Sequence, residues 1–299
     1  TVGELRNLPF EGSDLQPGDE VVAIGGIQLP PASDVTAYSD AFSAVPIEQP
    51  LEYGVLRDGS RLTVPGPYIM PSLINQVMPQ SAAYQAGLTS GDVITAVNGT
   101  PIFAFKQLKD IVEASSGETL KLTVWRNGET LDFTMTPKVT DEPQPDGSFK
   151  TQMRIGIVGG AAFETATTSP GLFEAMWSGV ENTGRIIQGS LSGLKHMIVG
   201  NISTCNLSGP IGIAQTSGAM ASQGAQSFIY FIAVLSTAVG LLNLFPIPAL
   251  DGGHLVFYAY EAVTGKPPSD GALKVLMTIG LTLVLALMVF ALGNDLFCP

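Results

Sequence analysis

The chain has 299 residues, enough for two or three domains, and its mean hydropathy of +0.30 is high for a soluble protein. A formal net charge of -12 leaves no basic patch to neutralise phosphates, which argues against a nucleic-acid partner. Cys205 and Cys298 are far apart and form no Cys-x-x-Cys pair, which argues against a cysteine zinc site. Thr1 begins in mid-domain without an initiator methionine, so we expect a fragment whose N-terminus is missing.

An internal repeat with a period of about 70 residues occupies the first part of the chain. Residues 15–27 parallel residues 88–100, and both segments contain a Gly-Asp pair followed by an apolar run. Each copy continues to an alternating, strand-like segment that ends in Arg57-Asp-Gly or Arg126-Asn-Gly. These triplets predict two β-hairpins. Between the repeated segments, residues 35–42 and 105–114 read as short amphipathic helices.

The second copy resembles PDZ domains of the bacterial type, on the sequence Pro79-Gln-Ser-Ala-Ala-Tyr-Gln-Ala-Gly-Leu-Thr-Ser-Gly-Asp-Val-Ile-Thr-Ala-Val-Asn-Gly. The first copy is trimmed at its start and looser. PDZ domains bind peptides by adding a strand to a sheet edge. Their carboxylate-binding loop has a hydrophobic-Gly-hydrophobic core, which residues 66–73 lack. Peptide capture and a purely structural or size-excluding role therefore both stay open.

The second half of the chain begins with a polar connection and then turns apolar. Residues 139–152 are turn-rich and predict a connecting segment. Residues 172–198 predict an amphipathic helix, either in the plane of a membrane interface or packed as an ordinary helix. Between His196 and Leu250 there is no Asp, Glu, Lys or Arg.

Two segments are long and apolar enough to cross a bilayer, residues 227–250 and 275–292. The fold class that follows is a multidomain α+β membrane protein. It comprises two PDZ-type small β-barrel domains, a linker region with the amphipathic helix, and a part with two transmembrane helices. The predicted domain boundaries are 1–65, 66–138, 139–226 and 227–299.

The sequence Asn243-Leu-Phe-Pro-Ile-Pro-Ala-Leu-Asp251-Gly-Gly-His254 closes the first apolar segment. An ionisable residue at membrane depth is expensive, so Asp251 is a functional candidate. Pro246 and Pro248 lack the N–H that a helix needs at their positions. Broken backbone in a membrane is tolerated only where it is buried in protein or lines a wet cavity. Together these features predict an intramembrane active site.

Three blocks in this order resemble the bacterial site-two proteases of the regulator-of-sigma-E protease type. They are the tandem PDZ-like repeat, the sequence Asn206-Leu-Ser-Gly-Pro-Ile-Gly-Ile-Ala214, and the block from Asn243 to His254. The resemblance implies an intramembrane Zn²⁺ held by two histidines of an HExxH helix and by Asp251, with a water as fourth ligand. It implies that Asn243 hydrogen-bonds the backbone of an extended substrate and that Pro246 and Pro248 hold the helix open.

The printed sequence departs from that family in its histidines. It has only His196 and His254, and neither lies in an HExxH motif. We therefore expect the fragment to be inactive alone. Asp251 and His254 stand three residues apart and offer a possible chelating pair, although the family does not use that histidine, and simple packing of His254 is the simpler reading.

The resemblance also implies location and partners. It places the protein in the bacterial inner membrane as a multi-pass protein, in contact with lipid, with the PDZ pair in the periplasm. The implied substrates are single transmembrane helices already shortened by an earlier cut, such as anti-sigma factors, and remnant signal peptides. The PDZ pair would act as a filter for size or peptide. The alternatives are a non-catalytic membrane scaffold that presents PDZ domains, or a PDZ-bearing secretion component.

The two cysteines suggest one covalent link. Cys205 precedes the first apolar span and Cys298 follows the second. A chain that crosses twice returns to its starting side, which the resemblance makes periplasmic, where disulfides persist. We therefore hypothesise a Cys205–Cys298 disulfide, with two unpaired cysteines as the alternative.

Overall fold

The structure is a computed structural model that describes residues 1–31, 34–144, 148–166 and 170–297. It divides into two compact units. The first, here called the β unit, comprises residues 1–140 and 151–169. The second, here called the helical unit, comprises residues 141–150 and 170–299.

The secondary-structure elements follow in chain order. The strands are β1 Val2–Leu5, β2 Glu20–Ile24, β3 Ile27–Gln28, β4 Leu51–Arg57, β5 Ser60–Gly66, β6 Ile74–Val77, β7 Val93–Val97, β8 Thr100–Pro101, β9 Leu120–Arg126, β10 Glu129–Met135, β11 Lys138–Pro143, β12 Phe149–Arg154, β13 Ile157–Gly159 and β14 Phe163–Thr165. The helices are α1 Val35–Ser43, α2 Ala82–Ala86, α3 Phe105–Ala114, α4 Leu172–Val199, α5 Pro210–Ser222, α6 Ala225–Asn243, α7 Asp251–Thr264 and α8 Asp270–Phe297.

The internal repeat folds into two similar four-stranded sheets. The first has strand order β3-β2-β4-β5 and the second has order β10-β9-β7-β8. Both predicted hairpins are confirmed, since β4 pairs with β5 and β9 with β10 in antiparallel register. Their turns have positive φ at Asp58, Gly59, Asn127 and Gly128. This is the geometry of two-residue hairpin loops, which favours Asn or Asp before Gly.

The two helices predicted inside the repeat are confirmed. α3 has the predicted bounds, and α1 extends one residue beyond them. Asp34 caps α1 by accepting a hydrogen bond from the backbone N–H of Ala37 at 3.0 Å. In α3 the Gln107 side chain reaches back and accepts from the N–H groups of Phe103 and Ala104, each at 3.0 Å. Both caps satisfy donors that a helix start otherwise leaves unpaired.

Each copy is held by the same buried ion pair. Arg57 Nε and Nη2 donate to the two carboxylate oxygens of Asp19 at 2.6 and 2.8 Å. Arg126 makes the same fork on Asp92, at 2.6 and 2.7 Å. Both aspartates are buried. The repeated Gly-Asp and Arg-Asp/Asn-Gly sequences are thus two ends of one bidentate contact, a strong form of hydrogen bonding.

Strands from residues 149–165 were not predicted, and they change how the β unit is closed. Residues 139–152 were predicted to be a connecting segment, and this was wrong in part, because most of the segment lies in the paired strands β11 and β12. β13 then pairs with β6, and β14 pairs with β1 at the start of the chain. β13 and β14 have three residues each, too few for an alternating pattern to be visible.

The hydrophobic cores also draw on this returning segment. One core packs residues of the second copy and includes Ile155 together with the partly buried Met153 and Ile157. The other packs residues of the first copy and includes Ala162 and Phe163. Both cores therefore need side chains from beyond the repeat itself. The proposed domain boundaries at residues 65 and 138 stay predictions.

The helical unit contains the predicted apolar helices. α4 confirms the amphipathic helix predicted over residues 172–198, and its position at a membrane interface stays a prediction. Within the residues that the structure describes, two helices, α6 and α8, are long and apolar enough to cross a membrane by length and composition. At 1.5 Å per residue they are roughly 28 and 42 Å long. α6 ends at Asn243, and residues 244–250 are not helical, as the two prolines in this segment predicted.

The hypothesised disulfide falls partly outside the described residues, because Cys298 is not among them. Cys205 lies in a short 3-10 helix, Thr204–Asn206, and it is not a free cysteine. Near the end of α8, Asn294 Nδ2 donates to the backbone oxygen of Thr204 at 2.7 Å. The end of α8 thus lies beside the segment that carries Cys205, and the Cys205–Cys298 pairing stays a prediction.

The Asp19–Arg57 pair predicts a specific acid sensitivity. The hydrogen bond from Arg57 lowers the pKa of the Asp19 carboxyl below 3.8. A carboxyl with a lowered folded pKa stabilises the fold above its unfolded pKa, and that stability is lost as pH falls through the folded value. We expect Asp19→Asn to lower the free energy of unfolding by about 2–4 kcal/mol at pH 7, because Arg57 loses its partner. The difference from the unmodified chain should shrink below about pH 4.

Urea unfolding followed by circular dichroism at pH 7 and pH 3.5 measures both effects. Glu20→Gln is the matched control, since it removes a charge from the adjoining exposed position in β2. Equal losses for Asp19→Asn and Glu20→Gln would show that the pair contributes nothing specific.

Candidate active site

The loop between α6 and α7 contains both prolines of the predicted site. α6 ends at Asn243, and the next amides form local turns, with Leu244 N donating to Gly240 O at 3.2 Å and Phe245 N to Leu242 O at 3.1 Å. Pro246 cannot donate to continue the helix. Further on, Leu250 N donates to Ile247 O at 2.8 Å. The loop therefore satisfies several of its backbone groups internally.

Two glycines let the loop fold back against the start of α7. Gly252 and Gly253 are buried. A Cβ at Gly252 would overlap the carbonyl oxygens of Leu244 and Phe245, and one at Gly253 would overlap that of Ile247. The backbone that comes close to these glycines is that of the loop itself. Their small size fixes where α7 begins.

The loop places the two candidate catalytic residues at its ends. Asn243 is the last residue of α6 and is half-buried. Asp251 is the first residue of α7, and its side chain is exposed. A carboxylate in the first turn of a helix is stabilised by the unpaired N–H groups and the helix dipole there. Asp251 is accessible at the start of α7.

The two histidines lie apart in the sequence and have aromatic neighbours. His254 is one turn after Asp251, and its ring meets that of Phe257 edge-on with 6.0 Å between centroids. His196, on α4, packs its ring 4.9 Å from that of Phe149. Over the residues that the structure describes, no group of three or more His, Cys, Asp or Glu side chains is arranged to hold a metal ion.

The donor set therefore fits zinc as a partial site. A catalytic zinc takes three protein ligands, and carboxylate oxygen is one of the ligands that it accepts. Asp251 offers such an oxygen from an exposed position. The buried Gly252 and Gly253 follow it directly in α7. Two further ligands would have to come from outside the described arrangement.

Gly280 in the middle of α8 supports the loop, and sequence reasoning missed it. It is buried, and a Cβ there would lie 2.7 Å from the backbone N of Ala249 and 3.2 Å from Cδ of Pro248. The only sequence signal is a glycine inside a strongly apolar helix, where glycine costs about 1 kcal/mol relative to alanine. Such a glycine often marks a close packing contact.

A second candidate site lies in the β unit, in the first copy of the repeat. A cavity of about 280 Å³ opens between α1 and β14. Tyr38 and Phe42 of α1, Phe163 and Thr165 of β14, and Ile69 line it. An apolar groove between a helix and a strand is the shape that accepts an added peptide strand.

In the second copy the corresponding contact between α3 and β13 is tight. A Cβ at Gly159 of β13 would lie 2.7 Å from the Phe105 ring of α3, and Arg154 forms an ion pair with Glu113 at 2.7 Å. A hydrophobic-Gly-hydrophobic triplet, Ile155 to Ile157, leads into β13, with Gly156 at φ +78°. The sequence comparison with PDZ domains places the corresponding loop at residues 66–73, which lack this triplet. The triplet itself comes after the repeat.

A family model described as peptidase family M50 matches residues 34–287 of the chain. The chain belongs to peptidase family M50. The match runs through the proline-containing loop, Asp251 and most of α8, and it confirms the resemblance to the site-two proteases. M50 membership also agrees with the presence of two helices of membrane-spanning length.

Individual relatives in the M50 family point the same way. A protein of Agrobacterium fabrum, provisionally named a zinc metalloprotease, is 38% identical over 77% of this chain and 62% of its own length. The regulator of sigma E protease of Haemophilus influenzae is 38% identical over 75% of this chain and 49% of its own length. The chain thus matches about half to two thirds of the length of these relatives.

One solved structure is also similar in part. It is the PDZ domain of an SdrC-like protein from Listeria monocytogenes. The matched region covers 31% of this chain and 90% of that domain, at 18% identity and a TM-score of 0.25. That TM-score is too low to carry an argument about the fold of this chain.

Proposed function

We propose that the chain forms part of an intramembrane zinc metalloprotease that cleaves transmembrane segments of substrates shortened by an earlier cut. The observation that carries the proposal is the position of Asp251. It is an exposed carboxylate at a helix start, directly after a proline-broken loop that follows a helix of membrane-spanning length. M50 membership and relatives named as zinc metalloproteases support the same conclusion.

The roles of the residues follow from their chemistry. Asp251 supplies one carboxylate ligand to Zn²⁺, and Asn243, whose amide both donates and accepts, binds the backbone of an unwound substrate strand. Pro246 and Pro248 keep the loop from becoming helix and so leave a place for that strand. When bound, zinc would lower the pKa of a water and polarise the scissile carbonyl.

The remaining ligands and the general base would come from an HExxH segment, which the printed sequence does not contain. We propose that the printed chain alone does not cleave substrate and that activity requires that segment in the same polypeptide.

The β unit would act as a periplasmic filter for a multi-pass inner-membrane enzyme. Its two copies would be PDZ-type domains. In the first copy, strand β14 would form one wall of a peptide-binding site. The 280 Å³ cavity between α1 and β14, with its aromatic lining, supports such a binding site. Substrates of the anti-sigma-factor type and remnant signal peptides, whose outer domains are absent, would pass this filter.

The second candidate is a non-catalytic membrane scaffold that presents the same PDZ-type domains. The open cavity in the first copy would serve that role equally. The two functions differ at Asp251, because a scaffold has no use for a carboxylate beside a proline-broken loop. The presence of HExxH in the intact gene product would exclude the scaffold.

Asp251→Asn should abolish cleavage of a transmembrane substrate and lower bound zinc in the intact protein, since an amide is a poorer zinc ligand than a carboxylate. Cleavage in detergent and metal content by mass spectrometry measure the two effects. Glu261→Gln, which neutralises an exposed acid on the same helix, is the control and should change neither. Full activity with normal zinc in Asp251→Asn would refute the assignment.

Asn243→Ala should keep zinc and reduce turnover by about tenfold or more, the order expected for one or two hydrogen bonds to substrate. Leu242→Ala, at the neighbouring exposed position, is the control. Loss of zinc together with activity would instead make Asn243 a supporting residue of the metal site.

Removal of the β unit should permit cleavage of substrates that keep their outer domains. The deletion should run through residue 169, because β13 and β14 lose their partners β6 and β1 if only the repeat is removed. Cleavage of intact and pre-cut substrates is compared in both proteins. Unchanged dependence on the first cut would count against the filter.

A further inference from the structure

The end of α8 is fastened to the start of α5 by a carboxylate. Asp295 accepts backbone hydrogen bonds from Gly209 at 2.8 Å, Ile211 at 2.9 Å and Gly212 at 3.1 Å. The first turn of a helix leaves four N–H groups without intrahelical partners. The N-cap of α5 is Gly209, which has no side chain to accept them. Asp295 therefore caps α5 from more than 80 residues away along the chain.

Two glycines allow this contact. A Cβ at Gly209 would lie 2.6 Å from the backbone oxygen of Ala291, and one at Gly212 would lie 2.8 Å from Oδ1 of Asp295. Gly218, later in the same helix, has nothing within 4 Å of an added Cβ. The Gly-Pro-Ile-Gly sequence thus has glycine at the positions where α8 comes close.

The same helix supports the candidate active site at its middle. Gly280 lies 15 residues before Asp295, which is roughly 22 Å along a helix. There it contacts Pro248 and Ala249 in the loop between Asn243 and Asp251. A helix is stiff along its axis. The contact of Asp295 near the end of α8 therefore also determines that Gly280 is the residue beside the loop.

We propose that Asp295 is a positioning residue for the loop. Its contact with the start of α5 holds α8 in the axial position at which Gly280 fits beneath Pro248 and Ala249. That fit in turn fixes the separation and orientation of Asn243 and Asp251 at the loop ends. The catalytic consequence rests on the proposed function, whereas the structural consequence does not.

Hydrogen exchange followed by mass spectrometry tests the structural part in the intact protein. In Asp295→Ala, amides in residues 207–215 should exchange at least about fivefold faster, the order expected when a helix cap is lost. Amides in residues 244–253 should also exchange faster. Gly280→Ala should speed exchange in residues 244–253 and leave residues 207–215 unchanged. Gly293→Ala, in the same helix with open space around it, is the control and should change neither segment.

The cleavage assay tests the catalytic part. Asp295→Ala should lower kcat by a larger factor than it raises KM or lowers zinc content, because the residue touches neither metal nor substrate and acts only through the placement of Asn243 and Asp251. Asp295→Asn keeps one acceptor oxygen and should restore part of kcat. If Asp295→Ala fails to accumulate, Asp295→Asn is measured in its place. Gly212→Ala serves the same purpose, because the added Cβ would crowd the Asp295 carboxylate.

The outcomes separate the two proposals. Faster exchange in residues 207–215 with no change in residues 244–253 would overturn the positioning role and show a local cap only. Faster exchange in both segments in a protein that proves not to be a protease would leave the positioning of the loop intact and remove the proposed function alone. Unchanged kcat in Asp295→Ala, in a protein that cleaves substrate, would also overturn the catalytic part of the proposal.

Discussion

The helical unit depends on a break in an apolar helix that has to satisfy its own backbone. α6 stops at Asn243 because Pro246 removes a donor that the helix would need, and unpaired backbone groups are costly in an apolar environment. Local turns within residues 244–250 pair several of these groups. Gly252 and Gly253 let the turns pack directly on the start of α7. The exposed position of Asp251 is a consequence of this packing.

Support for that loop comes from another part of the chain. α8 reaches the loop at Gly280 and the start of α5 at Asp295, so one helix contacts two segments that lie about 40 residues apart in sequence. Glycine at 209, 212 and 280 removes the side chain at each close contact. Small residues at such contacts let helix backbones approach closely, and the Asp295 carboxylate adds a polar contact between two helices.

The β unit uses a different device, repeated twice. A buried aspartate at the start of one strand and an arginine at the end of another form a forked ion pair that ties the two strands together in each copy. The copies are nevertheless not independent in the chain. β13 and β14 come after both copies, and they complete the second copy and then the first. β14 forms one wall of the open cavity in the first copy. The candidate peptide-binding site therefore forms only once β14 has paired with β1.

The sequence alone determined the features that depend on near neighbours. Asn127-Gly128 and Asp58-Gly59 specify their turns, the 3.6-residue pattern specifies α1, α3 and α4, and the prolines locate the break beside Asp251. It also indicated the site-two protease family through three blocks, the last from Asn243 to His254, and the match to peptidase family M50 confirms this. Only the tertiary structure decided the pairing of β14 with β1, the cap that Asp295 provides to α5, and the contact between Gly280 and the loop. These join residues far apart in the chain, and a short strand, a lone aspartate or a lone glycine carries no periodic signal that names its partner.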